Sequence, residues 1–81
     1  DRTPVNVIID RDSRIYVEGR TADGFRELVE LMEDERSKAN NSSDLLLKID
    51  PDAFHEMRVL ALDAATQAGF SRVSNKIEVV D

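Results

Sequence analysis

The sequence predicts a small α+β domain, a mixed β-sheet with two helices packed on one face, in the order ββαβαβ. Three observations carry this. Two short β-prone runs, Val5 to Ile9 and Ile15 to Val17, flank a polar turn. Phe25, Leu28, Val29 and Met32 fall at i, i+3, i+4 and i+7, one apolar helical face. Leu45 to Ile49 then passes through Asp50-Pro51-Asp52 into a second helical pattern, which stops at Gly69 before a β-prone run near Val73. That last stretch is a βαβ unit, whose crossover is expected to be right-handed.

Each element has its own local reason. Val5, Val7 and Ile9 alternate with Asn6 and Ile8, as in a half-buried strand. Asp10 to Arg14 makes a polar turn, Ile15-Tyr16-Val17 a second strand, and Glu18-Gly19 closes it, so the pair reads as a β-hairpin. Arg20 to Ala22 adds a brief third strand. Asp23 is placed to cap a helix beginning at Gly24. That helix should bury Phe25, Leu28, Val29 and Met32, expose Glu27, Glu30, Glu33, Asp34 and Glu35, and fade past Arg36 into the loop Asn40 to Ser43. Leu45, Leu47 and Ile49 form a strand with Leu46 on its other face. Apolar residues on both faces suit a central strand. Asp50 is expected as the N-cap of the second helix, with Pro51 at the first helical position and Asp52 and Glu56 opposing the positive helix end. Phe54, Met57, Ala61, Ala64 and Ala68 make one stripe of that helix, Leu60 and Ala65 lie beside it, and Val59 and Leu62 fall outside. Gly69 suits a left-handed stop. Phe70 to Asn75 and Ile77 to Val80 are β-prone, with a break expected at Ser74-Asn75-Lys76.

Composition narrows the function classes. The chain has 81 residues, enough for one domain, and a chain this small buries only about 60% of its unfolded surface. It has no cysteine, which removes disulfide staples, thiolate nucleophiles and Cys-based zinc sites. An unstapled domain of this size suits a partner or a second copy. The net charge is −6 and the basic residues form no stripe, so no nucleic acid is expected as partner. The acidic run Glu30 to Glu35 reads as a solvated helix face. No apolar run approaches the ~20 residues of a membrane-spanning helix, and no signal-peptide pattern appears. The opening Asp1-Arg2-Thr3-Pro4, with structure starting at once, reads like a soluble domain excised from a longer protein.

Catalytic and metal-ligating residues are not expected. His55 is the only histidine, and a tetrahedral site needs several strong ligands, so it reads as a partly exposed helix residue. Asp10-x-Asp12-x-Arg14 resembles a calcium loop faintly. Arg14, Ile15 and Thr21 stand where that loop needs an oxygen ligand, a glycine and a glutamate. Ser13, Ser42, Ser43, Ser71 and Ser74 fall on turns or strand ends away from His55 in sequence. The three glycines are isolated, so no phosphate loop forms and no cofactor is expected. Arg58 lies close to the apolar side of the second helix, where it would snorkel or pair with an acid.

Two stretches resemble the periplasmic domain of the ExbD/TolR family. VNVIIDRDSRIYVEGR, residues 5 to 20, is similar to that family's opening hairpin. LLLKIDPDAF, followed by VLALDAATQAGFSRV, is similar to its strand ending in Asp, its helix with an apolar-Asp pair, its Ala-Gly-aromatic corner and its closing strand. Here those positions are Asp50, Leu62-Asp63, Ala68-Gly69-Phe70 and Val73. His55 stands where family members often carry a tyrosine. Aligning the helix on Gly69 by the family pattern would turn Val59 and Leu62 inward. The resemblance implies a periplasmic domain anchored by one transmembrane helix outside this chain, on the periplasmic side of a bacterial inner membrane. It implies a proton-motive-force-coupled transport complex, with an ExbB/TolQ-like membrane protein and a TonB/TolA-like transducer as partners, a homodimer, and peptidoglycan as a further partner of TolR-like members. The family's proton-carrying Asp lies in the transmembrane helix, so no aspartate here inherits that role.

The partner-binding segment expected from the residues is the final strand: Arg72, Val73, Ser74, Ile77, Glu78, Val79 and Val80. So small a sheet must leave an edge open, and an open edge accepts another strand. Lys76 and Glu78 would be its gatekeeping charges. Two readings compete with a transport-complex module. One is a free-standing small-ligand sensor or regulatory domain of ferredoxin-like or ACT-like type; the other, more distant, is an enzyme. Either would need a deep pocket with convergent polar groups.

Overall fold

The computed structural model describes residues 3–80. Asp1 and Arg2, on which part of the excised-domain expectation rests, lie outside them.

Five strands and two helices follow in order: β1 Val5–Ile9, β2 Ile15–Val17, β3 Arg20–Thr21, α1 Phe25–Lys38, β4 Asp44–Ile49, α2 His55–Ala68 and β5 Arg72–Ile77. They form one mixed sheet in the order β3-β2-β1-β4-β5. β1 pairs antiparallel with β2 and parallel with β4, and β4 pairs parallel with β5. The α+β class, the mixed sheet and the element order are as the sequence predicts, with the brief third strand present.

Period-2 alternation builds the core. Val5, Val7, Ile9, Ile15, Val17, Leu45, Leu47 and Ile49 point to one face and are buried. Both helices cover that face, and Leu28, Val29, Leu31, Met32, Ala61, Ala64, Ala65, Ala68 and Phe70 complete the same cluster. The small alanines of α2 let it approach the sheet and α1 closely. Asn6, Ile8, Tyr16, Leu46 and Lys48 alternate onto the helix-free face and stay half-buried. Leu46 shows apolar residues on both faces of β4, which lies inside the sheet between β1 and β5.

Several local expectations need correction. Gly24 is the N-cap of α1 and Asp23 makes no side-chain cap bond; the helix runs on to Lys38. Phe25 is partly rather than fully buried, because it opens the helix at its exposed end, while Leu31 joins the core. α2 begins at His55, not at Pro51. Pro51 and Asp52 form a turn, Phe54 is the N-cap, and Asp50 makes other bonds. Phe54 is 65% exposed, since it precedes the helix and cannot join its stripe. Val59 is exposed, as the periodicity gives, whereas Leu62 packs partly against the core, as the family pattern gives. β5 is one continuous strand through Ser74, Asn75 and Lys76, because β4 offers an unbroken ladder beside it. Gly69 does take the left-handed stop, at φ 102.

Candidate functional site

β5 lies at the edge of the sheet, paired on one side only. Its six strand residues come from the segment Arg72 to Val80 that the sequence singles out. The phase of its backbone follows from two bonds. Arg72 N–H donates to the Ser43 carbonyl at 3.0 Å, and Glu78 N–H donates to the Ile49 carbonyl at 3.0 Å. Alternate residues of a strand turn their amides to opposite sides. Even-numbered residues therefore bond inward to β4, and Val73, Asn75, Ile77 and Val79 turn N–H and C=O outward. Val79 lies beyond the strand proper, but Glu78 keeps it in phase.

The side chains sort by the same parity. Val73, Asn75 and Ile77 share the helix-covered face with their register partners Leu45, Leu47 and Ile49. Arg72, Ser74 and Lys76 share the helix-free face with Asp44, Leu46 and Lys48. Arg72 Nε pairs with Asp44 Oδ1 at 2.7 Å, and Lys76 Nζ with Glu78 Oε2 at 3.3 Å. Lys76 and Glu78 are thus edge charges, as expected, and they pair with each other. Along the flank, Ile77 is 72% and Val79 62% exposed, and Phe54 stands nearby across a shallow depression lined by Ile49, Pro51, Ala53 and Ile77. Arg58 reaches across from α2 and donates through Nε to Asn75 Oδ1 at 3.4 Å. It leans over the sheet as expected, but its partner is an amide rather than an acid.

Two aspartates at the ends of the neighbouring parallel strands shape the loops beside this edge. Asp10 organises its own hairpin: Oδ1 accepts from the N–H groups of Asp12 and Arg14, and Oδ2 accepts from Tyr16 O–H. The Asp10-x-Asp12 segment is therefore a hairpin turn. The Arg14 amide holds its carboxyl below the usual carboxylate range, against the opposing effect of burial, with Tyr16 and Asp12 adding to the lowering. Asp50 accepts from Val80 N–H and Asp52 N–H, and these bonds lower its pKa against the opposing effect of burial. Ser13 joins the two turns by accepting the Phe54 N–H at 2.9 Å. Sequence reading missed the roles of Asp50, Ser13 and Phe54. The repeated Asp-x-Asp after an alternating strand was the available signal.

A separate cleft opens between the β2–β3 region and the helices. Ile15, Leu28, Met57 and Leu60 line it with apolar surface, and Arg14, Thr21 and Asp23 stand exposed among its lining residues. Ser13 and Tyr16, also at this cleft, spend their hydroxyls on Phe54 and Asp10. Its polar side chains are thus exposed or already bonded. His55 is exposed at the start of α2. Among the described residues, no group of three or more His, Cys, Asp or Glu is placed to hold a metal ion, and no helix is long and apolar enough to cross a membrane.

No family model matches this chain, and no curated protein matches it.

Proposed function

We propose that this chain is a non-catalytic interaction domain that joins a second copy of itself through the β5 edge. We further propose that it serves, as its resemblance to the ExbD/TolR family suggests, on the periplasmic side of a proton-motive-force-coupled complex of a bacterial inner membrane. An ExbB/TolQ-like protein and a TonB/TolA-like transducer are its partners on that reading. Support for the family reading comes from the two resembling stretches and from the hairpin, Asp-ended strand, helix and closing strand falling in the implied order.

The observation that carries the pairing is the self-complementarity of Arg72-Val73-Ser74-Asn75-Lys76-Ile77-Glu78. A two-fold dimer brings the same edge against itself, antiparallel. Only outward-facing residues then exchange backbone bonds, so the two-fold axis passes beside an odd-numbered residue or midway between two of them. Centred on Asn75, Val73 meets Ile77 and Arg72 meets Glu78, an apolar pair and an opposite-charge pair. Centring on Lys76 sets that lysine against its own copy. Centring on Ser74 sets Arg72 against Lys76. Centring on Ile77 also opposes charges, Lys76 against Glu78, but carries half of β5 past the partner strand's end. The Asn75-centred register combines opposed charges with pairing along the whole of β5, and in it Val79 N–H meets the Ser71 carbonyl.

Sedimentation equilibrium of the wild type and Val79→Pro tests the pairing. Proline removes one outward donor without touching the core. The wild type should dimerise and the folded variant should dimerise more weakly. Equal affinity would place any interface elsewhere, on the outer flank of α2. Co-purification of the native protein with an ExbB/TolQ-like protein from inner membranes tests the placement; recovery free of membranes would refute it.

A further inference from the structure

The inward amides of the edge run Arg72, Ser74, Lys76, Glu78 and Val80. β4 serves them as far as Ile49, whose carbonyl accepts from Glu78. At Asp50 the chain turns away toward α2, so no main-chain carbonyl of β4 follows for Val80. The Asp50 carboxylate takes that place, with Oδ2 accepting from Val80 N–H at 3.0 Å. Its other oxygen, Oδ1, accepts from Asp52 N–H at 2.9 Å, which holds the turn that carries the chain away. The Asp50 backbone is engaged as well. Its N–H donates to the Ile9 carbonyl at 2.8 Å, and its own carbonyl accepts from Ala53 N–H at 3.0 Å. One residue, 2% exposed, thus ties the end of β1, the turn and the end of the edge strand.

We propose that Asp50 is a positioning residue for the docking edge: its carboxylate stands in for a missing length of β4, adds a rung at Val80, and so extends the row of outward amides to Val79. This rests on the reading of β5 as the pairing edge. Without that rung, nothing in the ladder beyond Glu78 would hold Val79 extended. The row would then shorten from four outward residues to three. A carboxylate fits the task because two amides approach from two directions and each needs its own acceptor oxygen. An asparagine of the same size offers one.

Amide exchange measured by NMR on the protein and its Asp50→Asn and Asp50→Ala variants tests the role. Val80 should exchange at least about ten-fold faster in the alanine variant, with Lys76 and Glu78 within about two-fold of wild type, and in the asparagine variant, whose one oxygen serves one amide, either Val80 or Asp52 should lose protection. Unchanged protection at Val80 in the alanine variant would overturn the proposal. So would an equal loss at all three amides, which would mean that Asp50 supports the whole domain rather than the strand end. If the alanine variant does not fold, replacing the Val80 amide by an ester through chemical ligation removes the same donor from the other side, without the restriction that proline would place on Val79, and leaves the carboxylate and the Asp52 turn intact. The Val79 amide should then gain fast motion by relaxation measurements; a Val79 as rigid as in wild type would overturn the proposal.

Dimer affinity separates this proposal from the reading it rests on. If Asp50 acts through Val79, adding Asp50→Asn to Val79→Pro should weaken the dimer no more than about two-fold beyond Val79→Pro alone. Fully additive losses would refute positioning. If Val79→Pro leaves dimerisation intact, the docking reading fails, and the exchange experiment still decides whether Asp50 builds the rung.

Discussion

The two edges of the sheet are finished in opposite ways. The β3 edge is two residues long and follows a two-residue turn, Glu18-Gly19, with both residues at positive φ (48 and 84), the geometry whose twist suits a tight hairpin. Its Arg20 reaches back to Asp34 at 2.7 Å and Glu35 at 3.0 Å on α1, and Lys38 closes the group against the same two acids. A strand that short, with its charge tied to a helix, offers an incoming chain little. The β5 edge is six residues long, and its outward side chains and amides are uncovered. A carboxylate completes the ladder near both edges. Glu18 accepts from the Asn6 N–H at 2.7 Å, and Asp50 accepts from Val80. Near β3 this finishes a ladder that is already closed. Near β5 it lengthens an open one. Charged side chains thus blunt one edge and extend the other, and this difference is what favours β5 as the proposed pairing edge.

The largest expected effect separates the sheet interior from that edge. Leu47→Ala should cost about 2–5 kcal/mol, since Leu47 is fully buried. Ile77→Ala, at concentrations below dimer formation, should stay within about 0.5 kcal/mol because that side chain is mostly exposed. Urea denaturation measures both, and a loss at Ile77 comparable to that at Leu47 would make β5 core rather than edge. Next comes the pairing itself. Asn75→Pro removes an outward donor from both copies beside the two-fold axis, about two hydrogen bonds, and should weaken the dimer about 30-fold. Arg20→Ala, at the closed edge, should leave dimer affinity unchanged.

Acid should distinguish the edges more gently. Asp34 and Asp50 both have carboxyls held below the ordinary value of 3.8, Asp34 by Arg20 and then Lys38, and Asp50 by the Val80 and then the Asp52 amide. A lowered folded-state pKa gives stability that is present above the unfolded value and lost as pH falls through the folded one. Urea midpoints between pH 5 and 2 should therefore fall with acid. Asp50→Asn should flatten that fall more than Asp34→Asn, because Asp34 is solvated and its partners are screened. The reverse order would mean that the closed edge contributes more than the open one. A modest effect is also expected at Ser13→Ala, which removes the acceptor for Phe54 N–H and should cost about 1 kcal/mol or less by thermal melting.

The sequence made the fold legible where its signals were periodic and local. Alternation in β1, β2 and β4, the i, i+3, i+4 face of α1 and the stop at Gly69 each depend on neighbours within a few residues. The final strand was legible as a candidate edge because so small a sheet must leave an edge open and this run continues past the βαβ unit. The start of α2 was not. Asp50-Pro51 carries good local capping chemistry, yet the Asp50 carboxylate is used by Val80, thirty residues away, and a Ser13 hydroxyl reaches the Phe54 amide at the real helix start. Long-range bonds overrode a sound local preference. The expected break at Ser74 to Lys76 failed for the same reason, since an unbroken β4 beside it outweighs weak β-propensity.

The most direct test of edge pairing mixes two charge variants. In the Asn75-centred register, Arg72→Glu sets glutamates 72 and 78 against each other in a homodimer, and Glu78→Arg sets arginines against each other. Across a mixed pair, both contacts become opposite in charge. Native mass spectrometry of each variant alone and of a one-to-one mixture reads the outcome. The account predicts weak self-association of each variant and a heterodimer in the mixture at least as stable as the wild-type homodimer. A mixture that associates no better than its separate components would contradict it.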